Sequence, residues 1–258
     1  MDRQQLKRGG QVLAPSIFTM GNMACGFYAI MAAHIGNFTE AGTAILGGIV
    51  FDMLDGRVAR LVHGESSFGV EFDSLADFLT FCVTPAYMMC ALLLKDYGPV
   101  GYGASFLYAL CGGMRLARFN AVAQAGEGSK KTFQGLPTPA AAGFLASFVL
   151  LYEIVEQGKS VKTLSFLMDV IPTIADLGPF LMIALAFLMV SNVPYGAFKQ
   201  QNALNPHSVR LMLVVGTVLC LLYFYTENAL FLISISYVLS GLFGVLLKIF
   251  PKRSSAAN

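Results

Sequence analysis

The sequence predicts an all-helical integral membrane protein with about eight spanning segments, six being the alternative. Three observations predict it. The 258 residues are 56% hydrophobic and only 12% charged, with a mean hydropathy of +0.65, whereas a soluble domain is about a quarter charged. Apolar stretches near the roughly 20 residues that a bilayer requires recur along the chain. Lysine and arginine are also distributed unevenly between the connections, as in membrane proteins of fixed orientation.

The spans read as residues 13–34, 40–63, 69–94, 99–123, 137–157, 178–195, 209–226 and 228–249. Short polar or turn-forming breaks separate them: Gly36-Asn37, His63-Gly64-Glu65, Lys95 to Pro99, and Thr226-Glu227-Asn228. Pro137 and Pro139 mark a helix start. The connection 158–178 contains an apolar stretch, Ser165–Ile171, suited to the interface, and this is the source of the six-or-eight ambiguity. With the N-terminus inside, only Lys95, Lys159 and Lys162 fall outside, and the other fourteen of seventeen lysines and arginines lie inside. Both termini are therefore expected in the cytoplasm, in a protein of the inner, cytoplasmic membrane.

The chain reads as one membrane domain over 1–258. It comprises a basic N-terminal segment (1–12), motif-bearing helices (13–157) and additional C-terminal helices (178–249). The first apolar run is long enough to span and lacks a small-residue cleavage site, so it reads as an anchor. A net charge of +2, with no basic tract interleaved with aromatics, excludes nucleic acid as a partner. Cys25, Cys82, Cys90, Cys111 and Cys220 are scattered without a CxxC pair and read as structural thiols.

Asp52, Asp55, Asp73 and Asp77 lie in or against spanning segments. A carboxylate in hydrocarbon costs several kcal/mol, so four of them mark a functional site. Helical spacing puts Asp52, Asp55, Gly56, Ala59, Arg60 and His63 on one stripe, and Gly69, Asp73 and Asp77 on another. A short turn between the two segments lets the stripes face each other. Four carboxylates without sulfur suit Mg²⁺ or Mn²⁺, with Ca²⁺ as a possible occupant, and their summed charge suggests two ions. Gly56, Ala59 and Gly69 remove bulk so that a flat ring or a phosphate can approach. The planar fork of Arg60 suits a diphosphate.

These residues form the ordered pattern Asp-x2-Asp-Gly-x2-Ala-Arg-x8-Gly-x3-Asp-x3-Asp, and it resembles the signature of the CDP-alcohol phosphotransferase family at every fixed position. The resemblance implies that family's fold. It implies a pair of divalent cations on Asp52, Asp55, Asp73 and Asp77, with Asp77 also the general base. It implies CDP binding by Gly56, Ala59, Arg60 and Gly69, and release of CMP. Thr19 and Asn22, one turn apart on the first span, are placed to reach the cytosine edge.

Three further blocks, LAPSIFTMGNMACGF, MRLARFN and FQGLPTPAAAG, resemble the branch of the family that uses CDP-diacylglycerol and L-serine to make phosphatidylserine. An acceptor carboxylate calls for arginine. Arg115 and Arg118, three apart, and Asn120 are the candidates for contacting serine or the lipid phosphate, against a plain anchoring role at the headgroups. Family resemblance further implies a homodimer. Competing readings are another acceptor in the same family, such as glycerol phosphate or inositol phosphate, and a cation transporter that uses the carboxylates as an ion path.

Overall fold

The computed structural model describes residues 3–62, 67–124, 135–158, 164–193, 195 and 226–249. Among these residues every regular element is helical. The elements are α1 (Arg3–His34), α2 (Phe38–Val62), α3 (Ser67–Asp77), a π-helical stretch (Phe78–Val83), α4 (Thr84–Leu92), a 3₁₀ turn (Leu94–Tyr97), α5 (Gly98–Gln124), α6 (Thr138–Glu156), α7 (Ser165–Asp176), α8 (Gly178–Val190) and α9 (Thr226–Ile249).

Local chemistry sets these boundaries. At the end of α1 the Gly36 amide bonds to the Ala33 carbonyl and the Asn37 amide to the Ala32 carbonyl, the double closure of a Schellman motif. Asn37 then caps α2, its Oδ1 accepting from the Glu40 amide at 3.3 Å. The chain thereby reverses tightly, and α1 and α2 pack against each other along their length.

α6 begins between two prolines, with Pro137 preceding it and a proline in its first turn. The preceding loop is tied down: the Gly135 amide bonds to the Val193 carbonyl and the Leu136 amide to the Leu188 carbonyl, both at 2.9 Å. Gly135 has φ +84°, and a Cβ there would lie 2.3 Å from the Met189 carbonyl oxygen. Only glycine fits this seat. Gly135 and Leu136 are thus a structural clasp between the start of α6 and the end of α8.

α6 is the centre of the bundle. Ala141, Ala142, Phe144, Leu145, Phe148, Val149 and Leu151 are buried, and α2, α7 and α9 pack around it. A stretch buried on all sides needs no polar stripe, which is why residues 141–151 of α6 are almost wholly apolar.

Among the described residues, two helices are both long and apolar enough to cross a bilayer: Phe68–Leu92, which joins α3, the π stretch and α4, and Thr138–Glu156. α7 and α8 together would make a third span, bent by 83° at their junction. α1, α2 and α5 have 32, 25 and 27 residues, enough length to span, with most of their charged residues toward one end of each and Glu40 at the other end of α2. The expected span 209–226 lies almost wholly outside the described residues. The apolar stretch expected at an interface is α7.

Candidate active site

α2 and α3 bring Asp52, Asp73 and Asp77 together. One carboxylate oxygen from each lies within 4.8 Å of the others. Oδ1 of Asp73 is buried with no hydrogen-bond partner. Carboxylates this close repel strongly where water is scarce. An orphaned oxygen beside two other carboxylates is the donor set of a hard divalent cation, bound through oxygen alone. The residues present therefore fit such an ion.

Asp55 stands beside these three with one oxygen engaged by α1. It is 6% exposed, and its Oδ2 accepts the Thr19 hydroxyl of α1. Asp52 and Asp55 are separated by about 300° around a helix, so their side chains diverge by roughly 60°. That divergence turns Asp52 toward α3 and Asp55 toward α1.

α1 supplies a second polar contact. Asn22, fully buried, donates from Nδ2 to Asp77 Oδ1 at 3.0 Å. Thr19 and Asn22, expected at a cytosine edge, are therefore bonded to the acids themselves.

The π stretch follows Asp77 directly. At its end the Thr84 amide reaches back to the Leu79 carbonyl, a five-residue closure. Such wide turns are frequent at functional sites. Thr80 Oγ1 donates to the Asn22 carbonyl at 3.0 Å, and Thr84 Oγ1 contacts the Gly26 carbonyl at 3.2 Å. Thr80 sits in a notch between α1 and α2. A Cβ on Gly26 would lie 2.4 Å from Thr80 Oγ1, and one on Gly48 would lie 2.6 Å from Thr80 Cγ2. These two glycines let three helices meet behind the acids. Nothing in the sequence reading marked Thr80, although Thr80 and Thr84, one turn apart in an apolar run just after Asp77, were an available signal.

The remaining expected residues fall around this centre. Gly56 is exposed, with open space where a Cβ would be, consistent with room for a ligand beside α2. Gly69 is half-buried on α3. The side chains of Ala59 and Arg60 lie outside the described residues. Arg115 is half-buried on α5, its Nε shielded and without a partner. Arg118 is exposed and directs both terminal nitrogens to Asn192 Oδ1 at 3.4 Å. Asn120 Nδ2 donates to Ser74 Oγ at 2.8 Å, across a groove of about 540 Å³ between α3 and α5 that Glu71, Phe78, Leu116 and Ala117 also line. The groove occupies a different face of α3 from the acids. Cys25, Cys82, Cys90 and Cys111 are free thiols.

An all-helical bundle with an acid cluster of this order defines the class. Residues 12–190 match the model of the CDP-alcohol phosphatidyltransferase family, and the chain belongs to that family. Its relatives narrow the comparison. It is 32% identical over 251 residues to the CDP-diacylglycerol–serine O-phosphatidyltransferase of Helicobacter pylori strain 26695, covering 95% of this chain and 97% of that one. It is 32% identical to the Bacillus subtilis protein of the same name, over 76% of this chain and 97% of that one. It is 31% identical to an archaetidylserine synthase of Methanothermobacter thermautotrophicus, over 71% of this chain and 70% of that one.

Proposed function

We propose that this protein transfers the phosphatidyl group of CDP-diacylglycerol to the hydroxyl of L-serine, giving phosphatidylserine and CMP. The observation that carries the reading is the convergence of Asp52, Asp73 and Asp77 within 4.8 Å in a chain of this family. The names of the similar proteins support serine as the acceptor.

The chain works as a single membrane domain of about eight spans, with both termini and the acid cluster on the cytoplasmic side, as a homodimer. Its donor enters sideways from the inner leaflet with its acyl chains still in lipid. Asp52, Asp55, Asp73 and Asp77 hold a pair of divalent cations, Mg²⁺ or Mn²⁺. Bound there, divalent cations supply charge neutralisation for the diphosphate as its bond to CMP breaks.

The protein's own groups do the rest. Gly56, Ala59 and Gly69 leave the backbone open for the CDP moiety, and Arg60 pairs with its phosphates. Thr19 and Asn22 act through the acids they contact: Thr19 orients Asp55, and Asn22 holds one Asp77 oxygen so that the other faces the acceptor. Asp77 removes the proton from the serine hydroxyl as that oxygen attacks the diacylglycerol-linked phosphorus. Arg118 and Asn120 stand at the end of α5 where the lipid phosphate and headgroups lie.

The test is release of CMP by purified protein with CDP-diacylglycerol and Mn²⁺, with and without L-serine. Serine-dependent release supports the reading. Release only with a different alcohol overturns the acceptor, and bound divalent ions without any CMP release overturn the transfer reaction.

A further inference from the structure

Arg115 carries a charge that the transfer reaction as described does not use. Its guanidinium is donor-only and always protonated. Its Nε is buried without an acceptor, so the side chain calls for an anion. Its charged and polar surroundings include Cys82, Tyr237 and, most weakly, Asp77.

Thr138 adjoins the same face of α5. One turn before Arg115, a Cβ on Gly112 would lie 2.5 Å from Cys82 Sγ and 3.7 Å from Thr138 Cγ2. Cys82 therefore neighbours both Arg115 and the Gly112–Thr138 contact. Thr138 is fully buried, and its Oγ1 also lacks a partner. It opens α6, whose first turn has no side-chain cap and, Pro139 having no N–H, presents the Thr138 and Ala140 amides and the positive end of the helix dipole. Arg115 and Thr138 are thus two orphaned polar side chains linked through Cys82 and Gly112 beside an uncapped helix start, and their joint chemistry suits one small oxyanion.

We propose that Arg115, Thr138 and the first turn of α6 form the seat for the acceptor's carboxylate. This rests on the serine-transfer reading above. The donor's phosphates belong with the cations of the acid cluster, which leaves the guanidinium for the acceptor. A planar carboxylate meets the fork of arginine edge to edge. The seat requires the serine hydroxyl to face Asp77 while its carboxylate rests on Arg115. The seat thus selects a hydroxy-amino acid over a plain alcohol.

The experiment separates the Michaelis constants for L-serine and CDP-diacylglycerol, in the wild type and in Arg115→Gln, Arg115→Lys, Thr138→Val and Thr138→Ser. It also compares L-serine with L-serinamide, which lacks the carboxylate. The expected result for Arg115→Gln is a rise of about tenfold or more in the serine KM. The donor KM stays unmoved, and the preference for L-serine over L-serinamide is lost. Thr138→Val moves in the same direction, and Thr138→Ser retains wild-type behaviour. Thermal melting reports folding of each variant, and if Arg115→Gln does not fold, Thr138→Val carries the test.

A rise in the donor KM with the serine KM unchanged assigns Arg115 to the lipid phosphate and overturns the seat. A fall in kcat alone, with the preference for serine intact, overturns it as well. In both of those cases the serine-transfer reading survives, because the wild type still depends on serine. A wild type that never uses serine overturns both.

Discussion

Asn22 makes two different claims on the reaction depending on what it touches. A residue at the cytosine edge controls donor affinity, whereas a residue bonded to Asp77 at 3.0 Å controls how that carboxylate is held. Replacing Asn22 with leucine removes the amide donor while keeping the branching and heavy-atom count of the side chain. A hydrogen bond to a charged group contributes about 1.5–3 kcal/mol. The expected outcome is a fall in kcat of about tenfold or more, with the KM for CDP-diacylglycerol nearly unchanged. Steady-state kinetics decides this, and a large rise in donor KM with kcat intact would return Asn22 to the nucleotide.

The acid cluster makes a second prediction at the same scale. Asp52, Asp73 and Asp77 repel one another when no cation is bound. Asp73→Asn should therefore leave the melting temperature in chelator unchanged or higher. Wild type should gain about 2.7 kcal/mol at a Mn²⁺ concentration one hundred times the dissociation constant, and Asp73→Asn should lose most of that gain. A Mn²⁺ titration followed by thermal melting and by electron paramagnetic resonance reads both effects.

At the scale of the element, the π stretch sets the phase of α3 against α1. Thr80 fills the notch between Gly26 and Gly48 and bonds to the Asn22 carbonyl. Gly48→Ala places a methyl 2.6 Å from Thr80 Cγ2. Overpacking of this kind costs about 1–3 kcal/mol. Thr80→Ser removes that methyl and keeps the hydroxyl. The double variant Gly48→Ala/Thr80→Ser should therefore be more stable than Gly48→Ala alone, a coupling that a denaturation cycle measures.

Element boundaries were legible where chemistry marks them. Gly36-Asn37 gave the α1–α2 reversal, and Pro137 and Pro139 gave the start of α6. The π stretch was not legible. Phe78–Val83 is apolar, with Thr80, Phe81 and Cys82 buried, so no polar face reports a change of helical phase. The same limit explains the acids. Spacing put Asp52 and Asp55 on one stripe, whereas the residual divergence of roughly 60° sends Asp55 to Thr19 and leaves Asp52 with Asp73 and Asp77. The FQGLP block was visible as a motif, but the reason for its glycine, a carbonyl 2.3 Å from where a Cβ would be, exists only once α8 is in place.

For the whole molecule, the fold arranges one site from helices distant in sequence. α1 and the π stretch buttress the acids, α2 and α3 carry them, and α5 and α6 hold Arg115 and Thr138, the proposed acceptor seat. In the proposed reaction the serine oxygen attacks phosphorus directly, and the acid cluster acts through proton removal rather than as a covalent nucleophile. A one-step displacement inverts configuration at phosphorus. Transfer from a donor made chiral at the reacting phosphate should therefore give inverted phosphatidylserine, and retention would require two steps.

The most direct measurement is CMP release by purified protein with CDP-diacylglycerol and Mn²⁺, with and without L-serine, for wild type and Asp77→Asn side by side. The account expects serine-dependent release in the wild type and a loss of about a hundredfold or more in Asp77→Asn, with folding preserved. Full activity in Asp77→Asn, or wild-type release that ignores serine, would contradict it.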